Sequence, residues 1–330
     1  MKRKTLGAYC ITYNAIEQAF PFMESINNFL SFCDEVIVND CGSTDGTFEI
    51  LSNINNSKLK IIRSVWDFNN PAEMGKQKTL ARYSVSSDMC IQFDVDEFVP
   101  EWQFDSIHSL IRNFPHIVLF DLPCITFSGG MKTVAAKENF YKWRLSKNIP
   151  GIVHGVHAEA RQYDSNGNMF FNREVSDSCE YIWDGSGRIV DRFPPLDKRL
   201  WQMNLRFMDK EIPVSLSEEY SKLISELCNG DSIPCIFHYS MVDYERKARM
   251  ASFWAKMKKN YSSEGGREGK WLDETNDEEI NKLIMSYFDR RLISVHLNKH
   301  PKDILQFASS AGWNQLESFV NGSKLLPVVA

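Results

Sequence analysis

Within the first hundred residues, four short apolar segments each run into a stretch of helical periodicity, and this alternation constrains the fold more than any other feature. Residues 6–12 read as a buried strand. Ile16, Ala19, Phe20, Met23, Ile26, Phe29 and Leu30 then recur at helical spacing across 16–32. Residues 35–39 predict a second strand, and Thr44 or Asp45 can cap a helix running to about Leu51. Residues 59–63 predict a third strand, 73–84 a helix with Leu80 and Ala81 facing inward, and 89–93 a fourth strand. Apolar strands alternating with helices imply βαβ units on a mostly parallel sheet. Such sheets take ligands beyond the carboxyl ends of their strands. Polar clusters stand at three of those ends: Thr12-Tyr13-Asn14, Asp40-Cys41-Gly42-Ser43-Thr44-Asp45-Gly46-Thr47 and Asp94-Val95-Asp96-Glu97.

Beyond residue 100 the pattern loosens. Strands are expected at 116–122, with 124–127 continuing it or starting a partner, and at 140–144, 152–160 and 233–239, and helices at 218–228, 244–260, 278–286 and 304–307. A turn is expected at 164–168 and a loop at 184–197. A boundary near 210 would divide the chain into 1–210 and a mainly helical 211–330. With 330 residues the chain can bury about three quarters of its unfolded surface, so it needs no disulfides or structural metal to fold. The 38 basic and 43 acidic side chains leave a net charge of -5, which argues against nucleic-acid binding. Eight cysteines without a C-x-x-C pair suggest buried thiols in a reducing compartment and no zinc cluster. No apolar run approaches a membrane span. The basic start, Met1-Lys2-Arg3-Lys4, lacks the apolar region of a signal peptide. The expectation is a soluble, cytoplasmic protein, with room for peripheral membrane contact.

Strand alternation would put Asp94 and Asp96 on one face, a few ångström apart. Two carboxylates that close repel unless a cation lies between them. An all-oxygen pair suits Mg²⁺ or Mn²⁺, with water and phosphate filling the other positions. A solvated acidic turn is the alternative.

Order, spacing and context of the three clusters together resemble the nucleotide-sugar half of family 2 glycosyltransferases of the GT-A fold. The resemblance covers about residues 5–100 and is diffuse to about 260. Gly42-Ser43-Thr44-Asp45-Gly46-Thr47 after an apolar strand is its most specific piece. Ile11 stands where the family has Pro, and Cys41 where it has a second Asp. The resemblance implies a three-layer α/β/α sandwich with a mostly parallel central sheet and a helical C-terminal extension. Residues 1–100 would bind the nucleotide sugar, 101–210 the acceptor, and 211–330 would complete the active site. The implied reaction is a metal-dependent, inverting transfer of a sugar from a nucleoside diphosphate donor, UDP first, to a glycan or lipid-linked acceptor in surface polysaccharide assembly.

Residue by residue, the resemblance implies that Thr12 and Asp40 hydrogen-bond the donor base, with Tyr13 and Asn14 beside it. Asp94 would meet the ribose or a metal-bound water, and Asp96 the metal. Lys78 would approach the diphosphate, with Lys76 a near rival. His238 could complete the metal shell with Asp94 and Asp96, and the basic residues after it, Arg246, Lys247 and Arg249, could hold the diphosphate. A structural histidine bonded to backbone is the competing reading of His238. An inverting transfer needs a carboxylate base; Asp177 comes first, Glu159 and Glu180 are rivals, and Asp184 also stands. In 154–159 alternation would put His157 and Glu159 on one strand face, and with His154 they suit an acceptor cleft or a second metal shell. The eight tryptophans are scattered and read mostly as core.

Two other classes compete with this reading. One is a module that binds nucleotide sugars without turnover. The other is a haloacid-dehalogenase-type phosphatase, disfavoured by Phe98 two residues past Asp96 and by the three strand–helix units before the motif. A Rossmann dehydrogenase is set aside because no G-x-G-x-x-G follows the first strand.

Overall fold

Alternate residues of the first strand pack into different layers, and this determines the architecture. A computed structural model describes residues 3–68, 70, 72–115, 117–136, 141–154, 160–162, 199–200, 202–203, 206–207, 210–244, 246–247, 250, 282 and 291–313. In β1 (Leu6–Thr12), Leu6, Ala8 and Cys10 join one core cluster, while Tyr9 joins another on the opposite face. β2 (Glu35–Asp40) divides in the same way, Val36 and Val38 against Ile37, and so does β4 (Met89–Gln92), Met89 and Ile91 against Cys90. Helices α1 (Phe22–Phe32) and α4 (Phe104–Asn113) cover the first face, and α3 (Glu73–Tyr83) covers the second through Ala81. Helix, sheet and helix form three layers.

β1 pairs in parallel with β2 on one side and β4 on the other, and β3 (Leu59–Arg63) extends the sheet beyond β2. Chain order therefore reverses direction between β1 and β4, the switch point at which open α/β sheets bind ligands. The sheet continues as β4–β8–β6–β7–β12, where β6 is Leu119–Ser128, β7 Thr133–Ala135, β8 Tyr141–Lys147 and β12 Leu292–Ser294. β11 (Ile236–Met241) lies parallel to β6 and antiparallel to the short β5 (Glu97–Phe98). Among the described residues this sheet has ten strands; seven share one direction, while β5, β7 and β8 oppose it. A separate two-stranded ribbon pairs β9 (Ile152–His154) with β10 (Ala160–Gln162).

The fold is thus a mixed α/β sandwich around a sheet whose strands mostly run one way, consistent with the expected GT-A-like class. Residues beyond 210 contribute β11 and β12 to that same sheet, besides α5 (Ser217–Asn229) and α6 (Lys302–Ser310). No helix among the described residues is long and apolar enough to cross a membrane.

Packing explains several local choices. Phe29 of α1 stacks on Phe93 with ring centroids 3.9 Å apart, and both are fully buried; truncating such a ring costs about 3–5 kcal/mol. At Gly7 a Cβ would lie 2.4 Å from Val85 Cγ1. The seven cysteines among the described residues are all free and buried.

Two expectations need correction, and one left open is decided. α1 begins at Phe22 rather than near 16, because Pro21 disfavours helical backbone in the residue before it. The preceding loop turns through positive φ at Asn14 (44°) and Ala19 (51°). Leu80 points outward, 44% exposed, since α3 packs through Gln77, Lys78, Ala81 and Arg82. Residues 119–128 form one strand through Pro123, which faces Tyr141 of β8 before the strand changes partner to β11 at Cys124.

Candidate functional site

The carboxyl ends of β1, β2 and β4 lie side by side at the switch point. Cys41 N–H donates to Thr12 O (2.8 Å), and Phe93 N–H donates to Tyr9 O (3.1 Å). Asp40 is fully buried at the end of β2. Its carboxylate accepts from Thr12 Oγ1 (3.4 Å) and from the Gly42 and Ser43 N–H groups (3.3 and 3.2 Å), with Arg63 Nε 3.5 Å away. Gly42 is at φ 92°, which lets these N–H groups turn back on the carboxylate. Asn14 ties the two loops together. Its N–H donates to Ser43 Oγ, its Oδ1 accepts from Thr44 N–H (both 2.9 Å), and its Nδ2 donates to Glu17 (3.0 Å).

Tyr13 stands against Phe68 and Trp66, with centroids 5.8 and 6.1 Å apart. Burial and the acids around Glu17, Asp45 and Asp40 push its phenol up. Arg63 lies over Phe48 at 4.0 Å and donates to Ser43 O (3.2 Å). These loops place Thr12, Tyr13, Asn14 and Asp40 in one neighbourhood, with Arg63 a member that sequence reasoning missed.

Strand alternation does not arrange the acids of Asp94-Val95-Asp96. β4 ends at Gln92, and the motif folds into a turn closed by Glu97 N–H donating to Asp94 O (2.9 Å). The common face expected for Asp94 and Asp96 is therefore replaced by two surroundings. Asp94, a third exposed at its side chain, accepts from Lys78 Nζ (2.7 Å), Gln92 Nε2 (3.0 Å) and Arg144 (2.8 Å). Burial opposes its charge, yet Lys78, Arg144 and Lys142 hold it well below the usual carboxylate range.

Asp96 is buried, with His238 Nε2 3.5 Å from one oxygen and Arg246 3.8 Å from the other. Burial raises its pKa, but His238, Arg246 and Lys247 outweigh this and bring it down to about 2. Glu97, fully buried, accepts from Lys142 (2.9 Å), Arg144 (2.6 Å) and Asp94 N–H (3.1 Å). Burial resists its ionisation, and Arg144 and Lys142 overcome this to keep its carboxyl below the usual range. Arg144 also donates to Gln92. Arg144 and Lys142 project from β8, inserted antiparallel between β4 and β6.

Register brings in His238, which pairs with Thr126 on parallel β6 and with Glu97 on antiparallel β5. Its Nδ1 meets Thr126 Oγ1 at 3.1 Å, leaving Nε2 toward Asp96. The partners are side chains, not the backbone of the competing structural reading. Lys78 and Lys76 are now distinguished: Lys78 is 5% exposed on Asp94, whereas Lys76 is 60% exposed on Glu73. Lys247 lies in the first turn after Asp243, where its N–H donates to Asp243 O (3.0 Å). Asp177, Glu159, Glu180, Asp184, His157 and Arg249 lie outside the described residues. His154 meets Tyr9 Oη at 2.7 Å within the packing under α3.

The donor chemistry fits a divalent cation at Asp96 and His238. A carboxylate oxygen and an imidazole nitrogen 3.5 Å apart could serve as neighbouring ligands of Mn²⁺ or Mg²⁺, with water and phosphate oxygens completing the shell. Both Asp94 oxygens are committed to cations. Glu97, Cys124 and His238 also converge, their donor atoms within 4.8 Å. Burial pushes the Cys124 thiol up to about 12, and the Glu97 carboxylate is already bound by Lys142 and Arg144.

No protein-family model and no curated protein sequence matches the chain. Solved structures with a partial likeness include S. aureus TarS (TM-score 0.32, 16% identity, covering 44% of this chain and 28% of that one). Another is S. aureus TarS 1-349 in complex with UDP (0.34, 15%, 86% and 71%). A third is glucosyl-3-phosphoglycerate synthase from Mycobacterium tuberculosis with Mn²⁺, UDP and glucosyl-3-phosphoglycerate (0.26, 19%, 38% and 45%). The chain thus matches under a third of the length of the first of these. At such scores the likeness carries no argument, and function is read from the site.

Proposed function

We propose that this chain is a GT-A-type glycosyltransferase, moving a sugar from a nucleoside diphosphate donor, UDP first, to a hydroxyl of a glycan or lipid-linked acceptor in surface polysaccharide assembly. One observation carries the reading: the Asp94–Asp96 turn lies at the β1–β4 switch point among four permanent cations. Lys78, Lys142 and Arg144 face two carboxylates, Asp94 and Glu97, and leave positive charge for an anionic ligand, while the buried Arg246 offsets Asp96. Beside them the Thr12–Asp40 pair and Tyr13 offer hydrogen bonds and a ring face to a base.

In this scheme Asp94, held ionised and partly open, accepts from the ribose hydroxyls. Lys78 serves the donor through that carboxylate. Asp96 and His238 would hold Mn²⁺ or Mg²⁺, which when bound supplies Lewis acidity to the departing diphosphate. Lys247 lends its charge on the same side. The acceptor hydroxyl loses its proton to a carboxylate, Asp177 or Glu159, as it attacks opposite the diphosphate in an inverting transfer.

The test is release of nucleoside diphosphate and transfer of sugar from a panel of nucleotide sugars with Mn²⁺. Asp96→Asn should lower the rate at least about 100-fold while still melting in one cooperative transition at neutral pH. Intact protein that binds no nucleotide and releases no sugar from any donor would overturn the reading. Asp177→Asn should retain UDP binding and lose transfer; an unchanged rate would move the base to Glu159.

A further inference from the structure

Arg246 stands apart from the other cations of the site because it touches three chain segments at once. It is 2% exposed. Its Nε donates to Ala19 O (2.8 Å), at the end of the loop that starts with Tyr13-Asn14. Nη1 reaches Tyr239 O (3.5 Å), one residue past His238, and Nη2 lies 3.8 Å from Asp96. Phe20 covers the guanidinium at 5.0 Å and Trp313 at 5.7 Å. Trp313, buried beyond α6, stacks in turn on Tyr239 (17° between planes).

Ala19 has φ 51°, a conformation that a non-glycine residue keeps only when its surroundings hold it there. The loop's own bonds, Ala19 N–H to Ile16 O and Phe20 N–H to Ala15 O (both 2.9 Å), leave Ala19 O for Arg246. A flat fork with several fixed donors can meet two carbonyls and a carboxylate together. A lysine gathers its donors on one atom and cannot spread them over three separate ones.

We propose that Arg246 is a positioning residue, buried away from the ligand, that registers the Tyr13–Asn14 loop against Asp96 and His238 and couples both to the C-terminal Trp313. This deepens the glycosyltransferase reading and rests on it. If Arg246 instead held the diphosphate, charge alone would suffice; the geometry asks for shape.

The experiment titrates UDP into the full chain with Mn²⁺ by calorimetry, alongside melting curves, for wild type, Arg246→Lys, Arg246→Gln and Trp313→Phe. Arg246→Lys and Arg246→Gln should weaken UDP by a similar factor, about tenfold or more, because a small misplacement at a binding centre is costly. Trp313→Phe, which leaves a smaller ring beside the guanidinium, should weaken it about threefold. Wild-type affinity in Arg246→Lys would show that charge suffices and overturn the proposal. Lower melting temperatures with unchanged affinity in all three would reduce Arg246 to a structural role and also overturn it. Should the Arg246 variants fail to fold, Trp313→Phe decides, and full affinity there sinks the idea. If wild type itself binds no UDP, the glycosyltransferase reading falls first.

Discussion

The two banks of the switch point are built differently. On the β4 side, Asp94, Asp96 and Glu97 are held by Lys78, Lys142, Arg144, His238 and Arg246, all charged or chargeable groups. On the β1–β2 side, Asn14, Ser43 and Thr44 are joined by neutral hydrogen bonds, and Asp40 is satisfied largely by backbone N–H groups. The charged bank depends on pH and on the presence of every partner, while the neutral bank, Arg63 beside Asp40 apart, depends on backbone shape. A ligand with a flat base and a charged diphosphate needs one bank of each kind.

The widest separation should come from Arg144→Met. It strands Glu97 and half of Asp94 in a buried setting, and removing one partner from a buried ion pair costs about 3–5 kcal/mol. Urea unfolding at neutral pH measures this, and a loss below about 1 kcal/mol would show that Lys142 and Lys78 suffice. Next comes acid. Asp96 titrates at about 2 in the fold against an ordinary 3.8. A depressed folded value adds stability above the ordinary pKa and loses it as pH falls toward the folded one. That contribution, about 2 kcal/mol, should vanish between about pH 4 and pH 2. Comparing wild type with Asp96→Asn across that window isolates it, and parallel stability curves would refute it.

Asn14→Ala strikes the neutral bank. It removes the acceptor for Thr44 N–H and places a less tolerant residue at φ 44°, for about 1–3 kcal/mol. The loss should be the same at pH 5 and pH 8, and Asn14→Gly should recover up to about 1 kcal/mol by relieving the backbone alone. A marked pH dependence would erase the distinction between the banks. Lys76→Ala, beside the critical Lys78 but exposed on Glu73, should change stability by no more than about 0.5 kcal/mol in the same unfolding assay.

Local signals made part of this legible in advance. β1 through β4 and α3 show in apolar runs and period, and the acids of 94–97 show as a cluster at a strand end. Arg144 and Lys142 did not. In Tyr141-Lys142-Trp143-Arg144 they read as ordinary alternation, and their place beside Asp94 and Glu97 comes from β8 pairing between β4 and β6, a contact some fifty residues away in sequence. Arg63 ends the third strand with no local signal of a role, yet it reaches Asp40 through the β2–β3 register. The start of α1 was misread because apolar spacing hid the effect of Pro21. His238 was singled out from its neighbours, but only the two-sided pairing of β11 shows why its ring meets Asp96.

That pairing restricts how this stretch can change over generations. Facing Thr126 on one flank and Glu97 on the other, His238 owes its orientation to counting along the strand rather than to any local preference. Gaining or losing one residue between 233 and 238 would turn the imidazole to the opposite side of the sheet. Divergence here can proceed by exchanging side chains; a single-codon insertion or deletion would cut the histidine off from the acid it serves.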